Sequence, residues 1–322
     1  KPAERVIREV DHLVARHRTL SLAFSDNAIH SRHAAAVFEG IRKLGTDLSI
    51  FVELRAPSTV SMIRIMRQAG VDTVQVGIEA LSSRLLRKMN KGVRSIDNLC
   101  MMKHCEAAGI VNASNLMLHF PSSDADDVAE TLNALAFCRW FRPLKTVSFW
   151  LGMGSPVHRH PRRFHIRAVF NHPNLKKLFP QPAAGAFGFM IQGYRGDRQR
   201  QQRLWQPVKK AVRQWQTDYD AMMRQTGGRP ALTFRDGGRF MIIDQHLPER
   251  STMRHRLTGV SAEIYRTCDM PRTLAELAGK FASHDRQQIR RFCRSMIDKR
   301  LMFGEADSFL SLAVPQTWQA RP

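Results

Sequence analysis

Three times in the first 110 residues a helical pattern ends on a glycine (Lys43-Leu44-Gly45, Gln68-Ala69-Gly70, Ala107-Ala108-Gly109), and a β-rich strand follows after a short link. Glycine in that place takes the left-handed conformation that ends a helix at little steric cost. The repeat constrains the fold more than any single segment does. Around it, Val6, Ile7, Val10, Leu13 and Val14 mark an amphipathic helix over 3–18. Leu20, Leu22 and Phe24 alternate in a strand over 19–26, and further strands are expected at 48–55, at Val74, Val76 and Ile78, at 112–120 and at 145–151. A helix should start at Asp124 with Ser123 as its N-cap. Five strands alternating with helices imply right-handed βαβ units and a parallel sheet, open or curled toward a barrel.

Parallel α/β folds bind ligands at the C-terminal ends of their strands. The residues expected there are polar: Asp26 and Asn27, Glu53 and Arg55, Glu79, Asn115 and His119, then Gly152-Met153-Gly154-Ser155-Pro156. Together they describe a mixed-charge pocket suited to a zwitterionic ligand with hydroxyls. Gly77 allows close approach to the backbone just before Glu79. Glu79 itself reads equally well as a ligand group or as a cap for the helix after it. No glycine-rich phosphate fingerprint follows the first strand and no Walker lysine loop is present, which removes dinucleotide and nucleoside-triphosphate readings. His158, His160 and His165 have no acidic partner at ligand spacing and sit between Pro156 and Pro161, so they read as loop histidines.

With 50 Lys and Arg against 28 Asp and Glu, the formal charge is +22. That surplus suits an anionic partner or a well-solvated basic surface, and it is spread along the chain. Cys100, Cys105, Cys138, Cys268 and Cys293 are odd in number and form no Cys-x-x-Cys pair, so buried thiols in a reducing cytoplasm are expected. No apolar run approaches the length of a membrane span. The chain starts at Lys1 and enters a helical pattern at once, which reads as a fragment whose start lies upstream.

The pattern changes after 157. Residues 161–195, rich in Pro, Gly, Arg and Phe, read as an irregular crossing segment. Trp205, Val208, Val212, Trp215, Tyr219 and Met222 then recur at three- and four-residue spacing, the stripe of a long helix bracing another surface. Gly227-Gly228-Arg229-Pro230 is the clearest linker. Beyond it a strand pair is expected at 231–234 and 239–244, then a helix from about Ser261, a short helix capped by Thr273 with Glu276, a helix over 285–299 and a closing strand over 308–314. The divisions are thus 1–157, 158–229, 230–315 and a tail of 316–322.

Gly77-Ile78-Glu79-Ala80-Leu81-Ser82, Met89-Asn90-Lys91-Gly92, Asn112-Ala113-Ser114-Asn115-Leu116, Phe120-Pro121 and Leu151-Gly152-Met153-Gly154-Ser155-Pro156 resemble the radical S-adenosylmethionine (SAM) proteins that mature ribosomally made peptides. The similar branch is the cobalamin-dependent C-methyltransferase-like one, and the C-terminal runs 257–259, 299–303 and 310–315 resemble it too. The resemblance implies an α/β fold with a partial (β/α)6 radical SAM barrel lacking its first strand, followed by a small winged-helix-like α+β domain. It implies SAM held across the strand ends, Glu79 with Ser82 near ribose and methionine, Lys91 at the SAM carboxylate, and Glu53, Arg55, Asn115 and His119 lining the same mouth. An iron-sulfur cluster and cobalamin belong to the full-length protein, with a reductant protein and a precursor peptide, its leader on 230–315, as partners. Two departures stand out. The Cys-x-x-x-Cys-x-x-Cys that holds the cluster is absent, so the fragment alone is expected to be inactive, and His119 stands before Phe120 where relatives usually carry glycine. A radical SAM enzyme acting on RNA and a non-catalytic winged-helix nucleic-acid-binding protein are the rival readings.

Overall fold

The computed structural model describes residues 1–25, 31–56, 58–179, 187–248 and 251–316. Asp26, Asn27 and 317–322 of the tail lie outside them. Helix α1 (Ala3–His17), β1 (Ser21–Ala23), α2 (Ser31–Lys43), β2 (Ser49–Leu54), α3 (Val60–Gln68), β3 (Val71–Val76), α4 (Ser83–Lys88), α5 (Ser95–Ala108) and β4 (Val111–Asn112) run in order, and the four strands pair in that order, all parallel. The next elements, β5 (Asn115–Leu118), α6 (Ala125–Cys138) and β6 (Lys145–Ser148), add a parallel pair. A parallel bridge from Glu79 to Leu116 joins the two groups.

The repeat read from the sequence explains the register. Gly70 has φ of +92°, and a Cβ on it would lie 2.3 Å from the Leu48 carbonyl oxygen. Its own carbonyl accepts from Ile50 N at 2.9 Å, so the helix end seats the start of β3 against β2. A side chain there would push the two strands apart.

Several boundaries differ from expectation for local reasons. The fourth strand is broken between Asn112 and Asn115 because the Ser114 hydroxyl takes the place of a ladder carbonyl: it accepts from Val76 N at 2.7 Å and donates to the Asn112 side chain. Asp124, not Ser123, caps α6, in a reciprocal capping box with Asp127. Ser123 instead donates to the Phe120 carbonyl and to Gln201. Nor is 161–195 irregular throughout: within it Ala168–Asn171 pairs with Ile191–Arg195, and Leu151–Gly152 joins them in a three-stranded antiparallel sheet.

The long helix Gln206–Gln225 buries the whole expected stripe from Trp205 to Met222. Its polar tips anchor it: Trp215 donates to the Phe141 carbonyl at 3.0 Å and Tyr219 to Glu106 at 3.0 Å. After it, Leu232–Asp236 and Phe240–Gln245 form the expected strand pair, joined by a third strand, Met253–Thr258, whose run of Arg and His hid it. Then come helix Gly259–Thr267, strand Arg272–Thr273, helices Leu274–Lys280 and Arg286–Asp298, and a hairpin of Met302–Glu305 with Ser308–Ser311. The closing strand splits here, since Val314–Pro315 leaves the hairpin to pair with Leu232–Asp236.

Helix α5 is the hub. It is buried on nearly every side, including Asn98, Lys103 and His104, because the parallel sheet covers one flank and the C-terminal unit the other. Lys103 Nζ reaches Asp269 Oδ1 at 2.7 Å, the Asp269 carbonyl at 3.0 Å and Ser311 Oγ at 3.3 Å. At the other end Glu305 accepts from Ile96 N at 2.9 Å and from the Ser83 hydroxyl.

Candidate site at the strand ends

Burial alternates along β2 and β3. Ile50, Val52, Leu54, Val74 and Val76 are buried under helices, whereas Glu53 and Gln75, which pair across the strands, are only half-buried on the opposite face. Backbone bonds then carry the sheet beyond the regular strands. Gly77 N donates to the Leu54 carbonyl at 2.9 Å, Met117 N to Glu79 at 2.7 Å and Phe149 N to Leu118 at 2.9 Å. Glu53, Arg55, Glu79, His119 and Ser148 thereby come to one edge of the parallel sheet.

The segment 76–80 makes two tight turns, Ile78 N bonding the Val76 carbonyl at 2.7 Å and Ala80 N the Ile78 carbonyl at 2.6 Å. Glu79 sits between them with φ of +58°, a left-handed conformation that costs a side-chain-bearing residue energy and persists only when its surroundings impose it. The imposing group is Asn98, fully buried on α5, whose Nδ2 donates to the carbonyls of both Ile78 (3.1 Å) and Ala80 (2.9 Å). Ser95 Oγ adds a bond to the Leu81 carbonyl at 2.8 Å.

Lys91 reaches the same carboxylate. Helix α4 ends with Asn90 at φ of +56°, Asn90 N donating to Arg87 and Lys91 N to the Leu86 carbonyl at 3.0 Å, the paired bonds of a Schellman end. The chain doubles back and sets Lys91 Nζ 3.4 Å from Glu79 Oε1, with both side chains partly solvated. An exposed pair at that distance contributes little to stability. Its two charges remain open to a ligand carrying the opposite pair.

Ser82 lies elsewhere. It is fully buried, caps α4 by accepting from Leu85 N at 3.1 Å, and donates to Glu130 at 2.7 Å. The helix it caps is held to α6 by Lys88 and Arg84 against Asp124 and Asp127. Burial works to raise the Asp124 pKa, but the bonds from Lys88 and the Asp127 N–H, with the Lys88 and Arg84 charges, hold it below the usual carboxylate range. Asn115 opens β5 opposite Lys145. Arg55 is exposed.

His119 has φ of +61°, the conformation glycine accommodates freely. Its Nδ1 lies 3.2 Å from Ser148 Oγ, and its Nε2 is covered yet has no partner among the described residues. Burial, then the charges of Lys209 and Arg198, lower its pKa and favour the neutral ring.

All five cysteines are buried as free thiols, and burial pushes Cys100, Cys105 and Cys293 up to about 12. Among the described residues no three His, Cys, Asp or Glu converge as a metal site. No helix among them is long and apolar enough to cross a membrane.

Alternating parallel strands and helices, with a polar edge at the strand ends, define the α/β class in which this edge is the ligand side. Residues 1–135 match the model of the radical SAM superfamily. An uncharacterized methyltransferase of Pyrococcus horikoshii is 24% identical over 132 residues, 40% of this chain and 29% of that protein, so the chain spans less than a third of that relative's length. Among solved structures, the radical SAM methyltransferase TsrM from Kitasatospora setae, with tryptophan substrate and a SAM analog bound, aligns at a TM-score of 0.49 and 15% identity over 67% of this chain and 46% of that one. The cobalamin-dependent SAM radical enzyme OxsB with aqua-cobalamin bound aligns at 0.39 and 15%, covering 51% of this chain and 26% of that one.

Sequence reasoning missed Asn98, since nothing in 95–108 distinguishes a buried clamp from a solvated helical asparagine. The one available signal was the absence of a clean polar face on α5.

Proposed function

We propose that this chain is the SAM-binding part of a radical SAM methyltransferase, and that the complete protein methylates carbon in a ribosomally made precursor peptide. The observation that carries the SAM reading is the Glu79 turn: a carboxylate held in a left-handed conformation at the end of a parallel strand, facing Lys91, within the residues that match the superfamily. Glu79 would accept from the ligand's ammonium or ribose hydroxyls and Lys91 would take its carboxylate, with Glu53, Arg55 and His119 along the same edge and Asn115 one residue before Leu116, which bridges Glu79. Ser82 would act through the helix it caps. Cobalamin and a cluster, reduced by a partner protein, supply the radical chemistry when bound. The cluster's ligands are not among these residues.

Titration of SAM into the chain and into Glu79→Gln tests the reading. Losing charge-assisted bonds of about 1.5–3 kcal/mol should weaken binding about 10- to 100-fold with the melting temperature nearly unchanged. Equal affinity with a large loss of stability would return Glu79 to a structural role.

For the peptide, the support lies in residues 230–315. Helix, strand, two helices and a hairpin in that order are the order of a winged helix, and its last helix exposes Arg286, Arg291 and Arg294 while Ile289, Cys293 and Met296 turn inward. Arginine forks recognise carboxylates of an acidic leader and phosphates equally well. An acidic leader peptide should therefore bind the whole chain and lose most of its affinity in the Arg286→Ala, Arg294→Ala double variant. Tight, steeply salt-dependent binding of duplex or RNA with no binding of leader would favour the nucleic-acid readings instead.

A further inference from the structure

A cavity of about 630 Å³ opens at the end of β6, between that strand and the small antiparallel sheet. Its volume lies in the range of small-molecule sites. Its walls are aromatic and apolar: Phe149, Trp150, Phe189, Met190 and Tyr194. Two of these are exposed far beyond what folding explains, Trp150 at 69% and Met190 at 78%. Large apolar side chains held open beside a concave surface mark a binding face.

The polar groups on the lining are Ser148, His172, Asn174, Gln192 and Arg198, of which Arg198 carries the fixed positive charge. Arg198 lies on the lining, its guanidinium 5.3 Å from the Tyr194 ring centroid, and it makes no ion pair among the described residues. Ser148, also on the lining, joins the cavity to His119 through the 3.2 Å contact with Nδ1. Tyr194 is braced edge-on by Phe149, with centroids 5.9 Å apart, and Phe149 by Phe120 at 5.3 Å. Phe149 and Tyr194 are thereby held at defined geometry, with Trp150 exposed beside them. A rigid aromatic wall favours a flat ring, which stacks or meets an edge at defined geometry, over a branched aliphatic group of equal area. An unpaired guanidinium stacked on one wall sets an anion next to that ring.

We infer that this cavity is the substrate site and that it takes an aromatic ring carrying a nearby carboxylate, as in an aromatic amino acid or the C-terminal aromatic residue of a peptide. The ring lies against Trp150 and Phe149, the carboxylate on Arg198, and the site opens toward the strand edge at Ser148 and His119. This assignment rests on the SAM reading above for the chemistry, but not for the binding itself.

Calorimetric titration of the chain with N-acetylphenylalanine, its amide and N-acetylleucine tests it. The aromatic acid should bind saturably, with the amide and the leucine analogue each about tenfold weaker or more. Arg198→Gln should abolish the difference between acid and amide. Trp150→Ala should weaken acid and amide alike by about tenfold, and both positions are exposed enough for the variants to fold. Free phenylalanine and a glycyl-glycyl-phenylalanine peptide separate the two sources of the group: the peptide binding better agrees with the peptide substrate proposed above, and the free amino acid binding better replaces that peptide with a small-molecule substrate. The inference is overturned by absence of saturable binding, by leucine binding as well as phenylalanine, or by acid-over-amide preference that survives Arg198→Gln. SAM titrated into the same samples keeps the two questions apart. Loss of the aromatic ligand with SAM binding intact sinks this inference alone, and the converse sinks the SAM reading alone.

Discussion

Replacing Asn98 with leucine is expected to cost the fold about 2–6 kcal/mol, the sum for two buried carbonyls that lose their donor. Those carbonyls belong to Ile78 and Ala80, on either side of Glu79, and both lie within 3.1 Å of the Asn98 amide. Leucine matches asparagine in shape, so packing changes little and the loss is electrostatic. Asn98→Asp should be no milder, because a carboxylate oxygen would face carbonyl oxygens. Urea unfolding followed by circular dichroism measures the effect as a lower midpoint with an unchanged slope. A loss under about 1 kcal/mol would mean that water or a shifted backbone replaces the amide. The leucine variant should also bind SAM more weakly, since the turn at Glu79 would lose the two side-chain bonds that flank it and keep only backbone bonds and the one from Ser95.

Acid is expected to weaken the junction between α5 and the C-terminal unit, through His104. The ring is buried beside Lys103 and Asp269, and its Nε2 has no partner among the described residues. Burial first, and the Lys103 charge second, lower its pKa to about 4 against the opposing pull of Asp269. The unfolded chain takes up a proton near pH 6.5, whereas the folded chain resists until about 4. In that window the unfolded state binds more protons, so stability falls as pH drops from 6.5 toward 4 and changes no further through this group below it. On the order of 2–3 kcal/mol is at stake. Asp269 acts lower: burial raises its pKa, but the charges of Lys103 and His104 and the Lys103 bond lower it further, so its share is lost only as pH falls through that depressed value. Melting curves between pH 4 and 7.5 for the parent and for His104→Gln provide the check. The variant should be flatter across 4 to 6.5, and equal slopes would show that His104 is solvated in the folded protein.

The contrast between these two sites and the helix–glycine–strand repeat shows what a sequence can carry. Gly45, Gly70 and Gly109 were legible because a helix stop is decided within one turn of chain. All three have positive φ in the fold. The stripe from Trp205 to Met222 was legible for the same reason, periodicity being local. Asn98, Lys103 and His104 were not, because each looks like an ordinary polar residue until it is known which carbonyls 20 residues away lack donors and which unit covers the helix. Ser82 illustrates a half-readable case. A cap for this helix was expected, at Glu79, but it is Ser82 that supplies it, and the serine's second partner, Glu130, lies 48 residues on. The strand pair within 161–195 was hidden by the proline and glycine around it and by the wide separation between Asn171 and Gln192.

Helix α5 is bonded to the C-terminal unit at both its ends, through Ile96 and Glu305 and through Lys103 and Asp269, and to the Glu79 turn in between. The glycine-rich link near residue 227 is therefore a boundary in chain composition and not in cooperativity. Detaching 230–315 would strip α5 of its outer cover, leave Lys103 without its carboxylate and release the clamp on the strand end. The two units share one rod, so a single unfolding transition for the whole chain is the expected result.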